Sequence, residues 1–136
     1  MAAFDLSVEG LAELRRAVLR NPQAVITEVG KFLQRGIAVY NRIILRNPWR
    51  RGMSGGGAPV DTGNLRDTHV REIGPWSARI YPTAPYAAYV HGIDGFTRRR
   101  SYQLRPWLDH AKETGDREIR ALEGRLLEGI IGDLAK

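Results

Sequence analysis

Two Asn-Pro pairs, Asn21-Pro22 and Asn47-Pro48, bracket the segment that most restricts what this chain can fold into. Proline suits the first turn of a helix, where its missing N–H would be unpaired anyway, and asparagine suits the cap before it. The first pair therefore opens a helix, and the second stops it near Arg46. Between them Val25, Ile26, Val29, Phe32, Leu33, Ile37, Tyr40, Ile43 and Ile44 recur at helical spacing. That stripe is broader than one buried seam requires. Gly30 and Gly36 lie inside it at a cost of roughly 1 kcal/mol each against alanine. Close approach of another backbone and simple tolerance explain them equally well.

The remaining chain organises around this helix. Phe4 to Val8 alternates apolar and polar residues, as a short strand does, and Glu9 to Arg20 keeps a helical period through Leu11, Leu14, Val18 and Leu19. After Pro48 comes Trp49-Arg50-Arg51-Gly52-Met53-Ser54-Gly55-Gly56-Gly57, expected to be a mobile loop. Asp67 to Ile73 and Trp76 to Tyr81, joined at Gly74-Pro75, read as an antiparallel hairpin with one solvated face. Tyr86 to Val90 suits either a helical turn or a strand. A second loop spans 92–104, and Pro106 opens a last helix to about Ala135. Leu108, Ile119, Leu122, Leu126, Ile130, Ile131 and Leu134 line one side of it, and Gly115 is a candidate kink. The expectation is one α+β domain over 1–136, with long N- and C-terminal helices packed on a small antiparallel sheet.

Charge is uneven. The formal net charge is +6, and residues 47–107 carry 9 basic and 4 acidic side chains, against 5 and 7 over residues 108–136. Of 21 basic residues only Lys31, Lys112 and Lys136 are lysines. Arginine-biased coding is one explanation. The other is that guanidinium groups suit bidentate contact with carboxylates at subunit interfaces, or with phosphates. The N-terminus has neither the basic nor the apolar region of a signal peptide, and the apolar runs are far too short for a membrane span. A soluble, cytoplasmically made protein is expected.

Signs of chemistry are sparse. There is no cysteine, which removes disulfides and thiolate metal sites. His69, His91 and His110 occupy three separate contexts without the i, i+4 spacing of a zinc site. His91 is read as ending a short element or pairing with an acid. Ser54 precedes three glycines, yet no Gly-Lys-Ser/Thr ending makes the loop a phosphate cradle, and no G-x-S-x-G elbow exists. No catalytic residue, cofactor or metal is expected. The strongest charge feature is Arg98-Arg99-Arg100, either a solvated loop tip or an anchor for an acidic partner or a phosphate. Phe96 and Tyr102 flank it and could stack on bases. Trp49, beside Arg50 and Arg51, is the tryptophan expected to meet a partner, since Trp and Arg dominate interface hot spots.

Three phrases stand in order: Ala58-Pro59-Val60-Asp61-Thr62-Gly63-Asn64-Leu65-Arg66, then Tyr86-Ala87-Ala88-Tyr89-Val90-His91-Gly92, then Arg105-Pro106-Trp107-Leu108-Asp109-His110-Ala111. In combination they resemble the tail-completion or neck proteins of long-tailed phages (siphoviruses), also described as head–tail joining or minor tail protein Z-like. The resemblance covers roughly residues 5–135. Family members often have glutamate then Gly-Thr where this chain has His91-Gly92-Ile93, and its 93–104 loop is more basic than the family's.

Taken alone, the first phrase fixes a passage from loop to sheet. Pro59 stiffens the exit, Asp61 or Thr62 caps the turn, Gly63 takes a backbone angle other residues avoid, and Leu65 anchors the first strand. The resemblance implies a virion structural protein at the head–tail junction, assembled in the host bacterial cytoplasm as a ring, expected to be a hexamer, around the DNA passage. Its implied partners are copies of itself, head-closure or connector proteins, and the tail terminator or tail tube protein. Loops 47–60 and 92–104 would serve as assembly arms. A tail terminator ring is the alternative within that class, and a sequence-independent nucleic-acid-binding module the alternative outside it.

Overall fold

The computed structural model describes residues 4–7, 19–92 and 102–134. Its elements are β1 (Phe4–Ser7), α1 (Pro22–Leu45), α2 (Asn64–Asp67), β2 (His69–Ile73), β3 (Ser77–Pro82), α3 (Ala87–His91) and α4 (Trp107–Leu134). The three strands form one antiparallel sheet in the order β1-β3-β2. Phe4 pairs with Ile80 and Leu6 with Ala78 on one side; His69 pairs with Pro82 and Ile73 with Ala78 on the other. This is the α+β arrangement expected, with long helices on a small antiparallel sheet. The helix expected over Glu9 to Arg20 lies almost wholly outside the described residues; Leu19 and Arg20 are helical.

The breadth of the α1 stripe has a direct cause. This helix packs along α4 and also rests on all three strands, while α4 makes no comparable contact with the sheet. α1 is the middle layer, so Val25, Val29, Phe32, Leu33, Gly36, Ile37, Val39, Tyr40 and Ile44 are all buried. Alternation in β3 supplies the other side of the core, with Ala78, Ile80 and Pro82 inward and Ser77 and Arg79 outward. On the outer layer, Ala111, Ile119, Leu126 and Ile130 of α4 face α1. Gly115 does not interrupt α4, which runs continuously from Trp107 to Leu134. A Cβ there would lie 3.1 Å from Tyr40 Cε1 and 3.2 Å from Ile43 Cδ1, so the glycine sits where α1 side chains press against α4.

Two local expectations change. The first strand does not begin at Asp67: Gly63, at φ 87°, reverses the chain into the short turn α2, and β2 starts at His69. Leu65 is therefore buried as the anchor of this helical turn and not of a strand. The segment from Tyr86 resolves as helix, ended by Gly92 at φ 115° with its N–H bonded to the Ala88 carbonyl at 3.0 Å. His91 does end that element.

The second correction concerns the glycine-rich loop, which is fastened to the end of α1. Asn47 turns the chain at φ 45°. Gly57 N–H then donates to the Asn47 carbonyl at 2.9 Å, Ala58 N–H to Ile44 at 2.8 Å, and Trp49 N–H to Gly57 at 3.1 Å. The last carbonyls of a helix have no partner within it, and this loop supplies one. Gly56, Gly57, Ala58 and Pro59 are buried as a result. This end of the loop is hydrogen-bonded to the helix end, and at Gly56 and Gly57 backbone lies against backbone.

Candidate functional site

The three phrases far apart in sequence meet in one cluster around Trp107, which is fully buried. From the first phrase, the Asn64 amide donates to Tyr86 Oη of the second at 3.3 Å. Arg105 N–H of the third donates to the Val90 carbonyl of the second at 3.0 Å. The indole of Trp107 lies edge-on to both His91 (centroids 5.1 Å apart) and His69 (5.9 Å). His69 sits just beyond the first phrase and ties it to the third. Thr62 Oγ1 accepts from Asn64 N–H at 3.4 Å, so it does take part in the turn, while Asp61 and Val60 are exposed.

Hydrogen bonding fixes the state of His69. Trp107 Nε1 can only donate, and it lies 3.0 Å from His69 Nε2, which must therefore present a lone pair. The proton is on Nδ1, which donates to the Arg66 carbonyl at 3.2 Å. Both ring nitrogens of a neutral imidazole are thus engaged in holding β2, α2 and the start of α4 together, which leaves neither free for proton transfer. His91 Nε2 is buried without a hydrogen-bond partner among the described residues.

Burial lowers the pKa of His69, with its carbonyl hydrogen bonds opposing; burial also lowers that of His91, with the Asp109 carboxylate opposing. A histidine held below its unfolded pKa makes the unfolded state the better proton acceptor, so its contribution is complete above that value and is lost as pH falls. Stability should therefore decline as pH drops from about 6.5 through the lower folded values. Urea midpoints measured between pH 7.5 and 5 check this, and a flat profile would contradict it.

The expected partner-facing residues separate into two groups. Trp49 is not at the surface: it is 7 % exposed, its Nε1 donates to the Met53 carbonyl at 3.0 Å, and its ring lies edge-on to His110. An indole large enough to fill the gap between the glycine loop and α4 is worth more inside than out. Arg50 and Arg51 are exposed at the start of the turn that follows. Tyr102 is half-buried with its ring 4.8 Å from that of Tyr89, so this ring already has an aromatic neighbour. Phe96, Arg98, Arg99 and Arg100 lie outside the described residues. Pro106 accepts from His110 N–H at 3.1 Å and so caps α4 at its start.

Sequence reasoning missed Gln103. Its side-chain oxygen accepts from Gly52 N–H at 2.7 Å and its amide donates to the Met53 carbonyl at 2.9 Å, joining the two expected arms. A lone glutamine in a polar stretch gives no signal of this. Among the described residues no group of three or more His, Asp or Glu is placed to hold a metal ion, and no helix is long and apolar enough to cross a membrane. No family model matches this chain, and neither a curated protein nor a solved structure shows significant similarity to it.

Proposed function

We propose that this chain is a structural subunit of the phage neck, completing the tail end and joining it to the DNA-filled head as part of a ring around the genome passage. The observation that supports this reading is the convergence at Trp107. The phrases that carry the resemblance lie in one packed unit, which is the arrangement a shared framework would give. That framework leaves Arg50 and Arg51 at the surface beside the base of the 92–104 loop, where protein partners can be met. The role is binding, with the neighbouring subunits, the connector side and the tail side as partners.

Removal of the chain from a phage that encodes it tests this directly. DNA-filled heads and finished tails should accumulate separately, and addition of the purified protein should join them. Tails of uncontrolled length would favour the terminator ring instead. Joined, infectious particles without the chain would reject both. A nucleic-acid module would show micromolar binding to duplex DNA that weakens steeply with salt, with no association with head or tail.

A further inference from the structure

Gln103 fixes the surface on which the two arms meet. With Trp49 buried beneath the same Met53 carbonyl, the turn Arg50–Met53 is held in place before any partner arrives, which lowers the cost of ordering it on binding. Arg50 and Arg51 are exposed, and neither forms an ion pair with a described residue. Met53 and Leu104, beside the glutamine tie, are 37 % and 42 % exposed. Arginine and methionine around a small apolar centre are what protein interfaces favour.

We propose that this arm docks onto a second copy of the chain, against the exposed face at the start of α4 that carries Asp109, Glu113 and Asp116. These three carboxylates, with Lys112, line one shallow trough. Asp116 is paired with Arg120 at 3.0 Å, whereas Asp109 and Glu113 pair with no cation among the described residues. Packing of Trp49 on His110 sets the arm close to this helix, yet Arg50 and Arg51 make no ion pair with it in their own subunit. Among the described residues the complementary charges of arm and trough are thus not matched to each other within one subunit. The segmental imbalance matches: residues 47–107 are basic and residues 108–136 acidic. Arm and trough are different surfaces, so their contact can repeat head-to-tail from subunit to subunit, the arrangement that generates a ring when the rotation closes. This inference rests on the ring reading above and gives it a specific contact.

The test is self-association of the full chain by sedimentation velocity at low and high salt. Arg50→Glu with Arg51→Glu should weaken association about tenfold or more, as like charges then face each other. Asp109→Arg with Glu113→Arg should do the same, and a chain carrying all four changes should regain it. Circular dichroism and urea unfolding of each variant separate lost association from lost folding. A monomeric wild type, indifference to either reversal in a folded variant, or failure of the four-fold variant to recover would overturn the contact. So would an arginine reversal that removes duplex DNA binding and leaves self-association intact. A chain missing from virions that still associates through these charges removes the neck reading alone. A virion ring indifferent to all four substitutions removes this contact alone.

Discussion

Gly57→Ala should destabilise the fold by about 3–5 kcal/mol, from overpacking together with up to three displaced hydrogen bonds of about 1 kcal/mol each. An added methyl would run into the carbonyl oxygen of Arg46 and lie 2.5 Å from that of Ile44 and 2.7 Å from that of Ile43. Those atoms are backbone at the end of α1, so no side chain can swing aside. Relief requires pulling the loop off the helix, which breaks the bonds from Gly57 to Asn47, from Ala58 to Ile44 and from Trp49 to Gly57. Trp49 follows, and with it the anchor for Gln103. Gly124→Ala is the contrasting control. Position 124 lies within a helix with nothing near the added atom, so the change should stabilise by up to about 1 kcal/mol. Urea unfolding of the two variants gives shifts of opposite sign. A small shift for Gly57→Ala would mean the loop is not fastened to the helix end.

The contrast between these glycines shows where the sequence was legible. Local torsional requirements were: Pro22 opens α1, and Gly63 holds a left-handed angle. Apolar periodicity marked α1 and α4, and its excess width in α1 reflected a helix covered on two sides. What could not be read was contact between distant residues. Three glycines in a row carry the same letters whether the backbone is free or pressed against a helix end, and only the Ile44 and Asn47 carbonyls decide which. Trp49 sits among arginines and glycines, so composition placed it outside, while its burial depends on His110 sixty-one residues later. The same holds for the candidate site. Its motif residues stood out only in combination, and His69 and His91 looked unrelated until the fold set Trp107 between them. Gln103 had no sequence signal at all.

Trp107→Phe should cost about 2–4 kcal/mol, and a partner effect identifies the reason. The indole is fully buried, so losing its second ring leaves unfilled space. Its N–H donor disappears as well, leaving His69 Nε2 in a partly buried place without the bond it had at 3.0 Å, worth about 1–3 kcal/mol for an orphaned acceptor. His69→Phe removes the acceptor and orphans the indole N–H in turn. When both are changed no polar atom of this pair remains, so the double variant should lose less than the two single losses combined, a coupling of about 1 kcal/mol or more. Acid sensitivity provides an independent readout. In the native fold a proton on His69 Nε2 must displace the indole N–H, whereas in Trp107→Phe it displaces nothing. The decline in stability below about pH 6.5 should then be shallower in that variant, although burial still disfavours the charged ring. Additive losses with an unchanged pH profile would reduce Trp107 to a space-filling side chain. Coupling with a flattened profile would establish the Trp107–His69 hydrogen bond as the link between α4 and the sheet.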